Sequence, residues 1–129
     1  MSTSYSVVST PDAPKAIGPY SQAISYNGLV YLSGCIPLDP VSMTVVGTTI
    51  EEQTTQVLKN LSNVLKAAGS SPDKVIKTTV FIKNMNDFVA FNGVYESFFN
   101  PSKPARSTVE VARLPKDVLV EVECIAIAQ

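Results

Sequence analysis

The stretch Lys103–Ala128, "KPARSTVEVARLPKDVLVEVECIAIA", decides how the second half of the chain folds. Its first part alternates: Arg106, Thr108 and Glu110 share one face, Ser107, Val109 and Val111 the other. After "LPKD" the alternation resumes, with Glu121 and Glu123 opposing Val120, Val122, Cys124 and Ala126. Two strands are predicted. If they pair as a hairpin, matching their apolar faces places Arg106, Glu110, Glu121 and Glu123 on a common side. A guanidinium among carboxylates is either a cross-strand ion pair or the grip for a small anion. On spacing alone the ion pair is the plainer reading.

Working outward, "AISYNGLVYLSG" (Ala23–Gly34) sets Asn27-Gly28 between two short β-rich runs. That dipeptide supplies the two positive-φ residues of a type I′ turn, so a hairpin is predicted. Thr48 and Thr49 stand three residues before Glu51 and Glu52, a capping-box arrangement. Ile50, Val57, Leu58, Leu61, Val64, Leu65 and Ala68 then keep helical spacing up to Gly69. "DKVIKTTVFIK" reads as a strand, with Ile76, Thr78, Val80 and Ile82 on one face and Lys77, Thr79, Phe81 and Lys83 on the other. Phe88, Phe91, Tyr95 and Phe98 predict a second helix with a core-facing aromatic stripe, ended by "NPSKP".

The order hairpin, helix, strand, helix, hairpin predicts an α+β fold: a mixed sheet with two helices packed on one face. At 129 residues the chain fits a single domain, residues 1–129. The other sheet face mixes charge with Phe81, Ile125 and Ile127, a surface suited to cover by a second copy of the chain.

Composition narrows the function. Apolar residues make up 45% of the chain, and ten basic residues face eleven acidic ones without clustering, so nucleic acid is not an expected partner. No run approaches the ~20 apolar residues of a membrane span, and none is expected. No secretory or transit segment is visible, which makes the cytoplasm the expected location, or the mitochondrion if a transit peptide has been removed. Cys35 and Cys124 lack metal or redox spacing and are expected to be reduced, buried thiols. With no histidine at all, Ser-His and Cys-His nucleophiles and His-bearing zinc sites are excluded. Chemistry must rest on Arg, Glu, Tyr, backbone groups and water. No metal or cofactor is expected.

Five collinear motifs carry a resemblance: "APKAIGPYSQA", "YLSGCIP", "VIKTTVFIKNMNDF", "FNGVYESFF" and the opening stretch. Together they resemble the RidA (YjgF) family of reactive-intermediate deaminases from about Ala13 to the last strand. The resemblance implies a chorismate-mutase-like homotrimer with a pocket in each cleft between subunits. It also implies cofactor-free hydrolysis of 2-enamine and 2-imine acids, notably 2-aminoacrylate and 2-iminobutanoate, to 2-oxo acids and ammonia.

By the same resemblance Arg106 is the substrate-carboxylate binder, for which a guanidinium fork suits a planar carboxylate. Glu121 is the acid that holds or activates the attacking water, with Glu123 at most a supporting charge. Tyr20 lines the pocket, the Gly34 N–H approaches the ligand carboxylate, Asn92 supports the pocket, and the Thr108 carbonyl accepts from the substrate nitrogen. The chain departs from the family's usual Gln at Cys35, Cys at Thr108 and Ala at Cys124. Two other readings compete: a non-catalytic module that binds 2-oxo acids in branched-chain amino-acid metabolism, and, least supported without histidine or a basic stripe, RNA cleavage.

Overall fold

In the computed structural model, which describes residues 4–128, a strand that the sequence reading did not foresee comes first. This is β1 (Ser6–Val8), paired antiparallel to β2 (Ala23–Tyr26). Asn27 and Gly28 take φ of 54° and 82°, and this left-handed pair folds β2 back onto β3 (Leu29–Leu32) as predicted.

Helix α1 (Ile50–Ala67) starts at the expected capping box. Thr49 Oγ1 accepts from the Glu52 N–H at 3.2 Å, and Glu52 Oε1 accepts from the Thr49 N–H at 3.2 Å. The chain leaves it through Gly69 at φ 77°, a conformation that disfavours any Cβ. Strand β4 (Val75–Ile82) follows, then α2 (Phe88–Phe98), β5 (Ala105–Glu110) and β6 (Val120–Ile127).

The six strands form one mixed sheet in the order β1-β2-β3-β6-β4-β5. Here the hairpin predicted for Lys103–Ala128 is overturned. Strand β4 lies between its two halves, pairing parallel with β5 and antiparallel with β6. The "LPKD" segment is therefore a crossing and not a tight hairpin turn. It includes Lys116 and Asp117 at positive φ. Register settles the faces. Arg106 pairs with Thr78 and Thr78 with Cys124, whereas Glu121 pairs with Phe81 and Phe81 with Val109. Directly opposed residues share a face, so Arg106, Thr108 and Glu110 lie on the helix side while Glu121 and Glu123 lie on the open side.

Both helices cover one face, as predicted. Val57, Leu58, Leu61, Val64 and Leu65 of α1 and Phe91 and Tyr95 of α2 enclose a core with Val80, Ile82, Val120, Val122, Cys124 and Ala126. The stripe runs from Phe91 and Tyr95 of α2 to Phe99 just past its end, with Phe88 and Phe98 half-buried at its margin. Ile76 is exposed, not buried, because the register shifts between Val75 and Lys77 and puts Val75 into the core instead. The open face carries Val7, Tyr26, Tyr31, Val109 and Ile127, all exposed, beside the two glutamates.

Leu61 is fully buried at the centre of this core. Leu61→Ala is expected to lower unfolding free energy by about 2–5 kcal/mol, read from urea titrations of the two proteins.

Candidate functional site

Helix α2 presents Phe88, Asn92 and Tyr95 on one side, at spacings of four and three, toward the β5 edge. Arg106 lies over them. Its guanidinium carbon sits 5.3 Å from the Phe88 ring centre and 4.7 Å from that of Tyr95, and its Nη1 donates to Asn92 Oδ1 at 2.8 Å. Such cation–π contacts contribute about 0.5–2 kcal/mol. Tyr95 is held from below, its hydroxyl 2.7 Å from Thr78 Oγ1 on β4. Burial raises the Tyr95 phenol, with the Thr78 hydrogen bond and the Arg106 charge opposing, so it remains a neutral platform.

Among the described residues no carboxylate forms a salt bridge with Arg106; the one ion pair found is Arg113–Asp117. The cross-strand pairing of Arg106 with a glutamate is thereby set aside. The guanidinium instead opens onto a cavity of about 450 Å³ that Asn92, Tyr95, Glu96, Phe99, Lys103 and Pro104 also line.

Thr108 stands two residues further along the same face. Its Oγ1 is buried without a partner among the described residues. The Val111 N–H donates to the Ile82 carbonyl at 3.0 Å. In the evenly phased parallel ladder this turns the odd residues of β5 toward β4 and leaves the N–H and C=O of Arg106, Thr108 and Glu110 on the free edge. The Thr108 carbonyl is thus available to a ligand or another chain.

The remaining predicted residues gather elsewhere. After β3 the chain passes Gly34 and bridges β6 at Cys35, whose N–H donates to the Val122 carbonyl at 2.8 Å and whose carbonyl accepts from the Val122 N–H at 3.1 Å. Cys35 thus shares the inner face with Val122, and its neighbour Gly34 faces the open side, against Glu121. Tyr20, half exposed, lies with Gly34 and Cys35 on a second cavity of about 50 Å³ beneath the Ala13–Tyr20 loop. Burial, then the Glu121 charge, pushes the Cys35 thiol up to about 12, which makes it an inert wall and not a nucleophile.

Three buried amides that the sequence reading missed hold the loops around this half. Gln22 Oε1 accepts from the Thr10 N–H, while its Nε2 donates to the Thr10, Ala13 and Pro14 carbonyls. Asn60 Nδ2 donates to the Ile36 and Leu38 carbonyls. Gln53 Oε1 accepts from the Leu119 N–H just before β6, and its Nε2 donates to the Gly47 carbonyl. For Gln53 and Asn60 the available signal was polar residues on α1 at the edge of its apolar stripe; Gln22 lies just before β2, outside that pattern. Also missed was the role of Phe88 and Tyr95 under Arg106, since aromatics at helical spacing read as core.

The two halves do not meet within one chain. Arg106 and Glu121 lie on opposite faces, two strands and three residues apart, so each offset is roughly 10 Å. Both the shared face and the shared cluster expected for Arg106 with Glu121 and Glu123 are therefore corrected for the single chain.

Glu121 titrates above its ordinary value of 4.5, chiefly through burial and then through Glu123 on the same face. A carboxyl group whose folded pKa is raised favours folding at pH below its unfolded value, and that contribution is lost as pH rises through the folded one. Glu121→Gln is therefore expected to melt at higher temperature than the native chain at pH 7, the gap closing toward about pH 4. Thermal unfolding at matched ionic strength measures it.

Residues 10–128 match the family model described as Endoribonuclease L-PSP. The 2-iminobutanoate/2-iminopropanoate deaminase of Mus musculus is 47% identical over 121 residues, 94% of this chain and 90% of that one. A Lactococcus lactis protein described as a candidate regulator, AldR, is 56% identical over 120 residues, 93% of this chain and 95% of that one. The crystal structure of E. coli TdcF with bound serine superposes with a TM-score of 0.92 at 41% identity, covering 96% of this chain and 99% of that one.

Proposed function

The chain belongs to the RidA/YjgF family, the family described as Endoribonuclease L-PSP, and from that premise we propose that it hydrolyses reactive 2-enamine and 2-imine acids to 2-oxo acids and ammonia. The observation that carries this reading is Arg106: a half-buried guanidinium without a carboxylate partner among the described residues, seated on an aromatic platform and facing a cavity. A cation held this way is completed by an anion from outside.

A short 2-imino acid cannot reach from Arg106 to Glu121 of the same chain. We therefore place the reaction in a cleft between two copies, with Arg106, Asn92 and Thr108 from one and Tyr20, Gly34 and Glu121 from the next. Contacts between two different surfaces repeat around a ring, and three copies is the closure that the family resemblance implies. The exposed apolar residues of the open sheet face would be covered in the same assembly.

Imines of this class already hydrolyse in water, so positioning supplies most of what is needed. Arg106 takes the carboxylate, the Thr108 carbonyl accepts from the protonated imine nitrogen, and Glu121 orients water toward the adjacent carbon and accepts its proton. The preferred substrates on this reading are 2-aminoacrylate and 2-iminobutanoate. A non-catalytic 2-oxo acid sensor is the second reading, favoured by the regulatory description of the Lactococcus relative. RNA cleavage has less support, because the chain holds no histidine and no excess of basic residues.

Ammonia release from imine generated freshly by a dehydratase tests the proposal, and a sensor would bind 2-oxobutanoate without accelerating it. Arg106→Ala is expected to lower kcat/KM about ten- to over a hundredfold, the equivalent of about 1.5–3 kcal/mol for hydrogen bonds to a charged group. Arg106→Lys should recover only part of this, because it keeps the charge and loses the fork. Native rates in Arg106→Ala would remove the carboxylate grip.

The cleft itself is tested by mixing. Chains carrying Arg106→Ala and chains carrying Glu121→Gln, unfolded together and reassembled, should regain about a quarter of native sites, because random association pairs two intact halves at that frequency. No recovery in assemblies shown to be mixed would place the whole site within one chain.

A further inference from the structure

We infer that Gly34 is a positioning residue for the Glu121 carboxylate: position 34 must lack a side chain so that this carboxylate can lie across the strand. The inference rests on the deaminase reading for its catalytic meaning, but the contact stands on geometry alone.

A Cβ built at Gly34 would meet Glu121 Oε2 at 1.8 Å, Cδ at 2.7 Å and Cγ at 3.0 Å, so all three of the nearest atoms belong to Glu121. Backbone conformation does not demand the glycine. Gly28, Gly47 and Gly69 have positive φ and Gly34 does not, so its torsions suit any residue. What is required is space.

The strand is irregular across this residue: the Ser33 N–H donates to the Gln22 carbonyl at 3.0 Å, and the Cys35 N–H to the Val122 carbonyl on the opposite side at 2.8 Å. The missing Cβ points onto the open face, where its nearest neighbours are atoms of Glu121. An N–H is available from any residue except proline, whereas only glycine leaves the seat that the carboxylate occupies.

The seat also accounts for the environment of Glu121. The carboxylate is pressed onto backbone instead of extending into water, with Glu123 on the same strand face and the Cys35 thiol behind the strand. The bridge between Cys35 and Val122 holds residue 34 against β6, so the seat and the side chain it receives cannot drift apart.

Because the obstructing atoms include the movable end of Glu121, Gly34→Ala is expected to fold and to displace the carboxylate. A crystal structure of that variant should show Glu121 moved with β6 unshifted, a readout independent of any activity. With imine substrate, kcat should fall about a hundredfold while binding of 2-oxobutanoate is retained. G34A/E121Q should be no slower than E121Q alone, and the shorter carboxylate of G34A/E121D should restore part of the loss.

Losses that multiply in the double variant would overturn the inference. So would 2-oxobutanoate binding that weakens equally with Glu or Ala at position 121, which would return the glycine requirement to the ligand. Should Gly34→Ala fail to fold, G34A/E121A decides: recovery of folding supports the seat, and failure in both backgrounds refutes it. If the native chain releases no ammonia from any imine, the deaminase reading falls while the crystallographic displacement still tests the contact.

Discussion

Strand β4 is hydrogen-bonded on both sides, to β5 in parallel and to β6 antiparallel, and from that position it decides which side chains can cooperate. Side chains alternate with a period of two, and register is carried across each ladder. With β4 between them, β5 turns Arg106 toward the helices while β6 turns Glu121 away. A slip of one residue in either pairing would put charge into the core, where Val80, Val120 and Val122 are completely buried. The separation of the guanidinium from the carboxylate is thus enforced by the hydrophobic core.

That separation leaves each group poised in a different way. Arg106 lies in a partly buried place without a counter-carboxylate among the described residues, supported by two ring faces and one amide oxygen. A cation so placed has incomplete compensation until an anion arrives. Glu121 is pressed against backbone and beside Glu123, so its charge is disfavoured and its basicity rises. A cation without a counter-carboxylate and a carboxylate of raised basicity thus stand on opposite faces of one sheet.

The loops that carry Tyr20, Gly34 and the start of β6 have little regular structure of their own beyond a 3-10 turn at Pro115–Asp117 and isolated bridges. Gln22, Asn60 and Gln53 satisfy the backbone groups that turns leave unpaired, and each amide reaches two or more of them. Buried polar groups fully paired in this way rigidify a site, and truncating one would strand several partners together.

Local patterns were legible in the sequence because each depends on neighbours in the chain. Asn27-Gly28 determined its turn, Thr49 with Glu52 its cap, and the apolar spacing of α1 its buried face, all through torsions and hydrogen bonds spanning four residues or fewer. Alternation likewise identified β4, β5 and β6 and grouped the residues of each face, but it assigned the Ser107/Val109 face of β5 to the core, where the structure puts Arg106 and Thr108, and it misplaced Ile76 beside its register shift. Which strand lay beside which was decided only by the tertiary structure. The pairing of β5 with β4, and not with β6, is a contact between segments distant in the chain, chosen by core packing that no periodicity encodes. Arg106 and Glu121 could therefore be singled out as candidates from sequence, but their placement on opposite faces could not be read there. The seat of Glu121 on Gly34 was hidden for the same reason, being a steric fit between residues 87 positions apart (121 less 34), which only the folded sheet brings into contact.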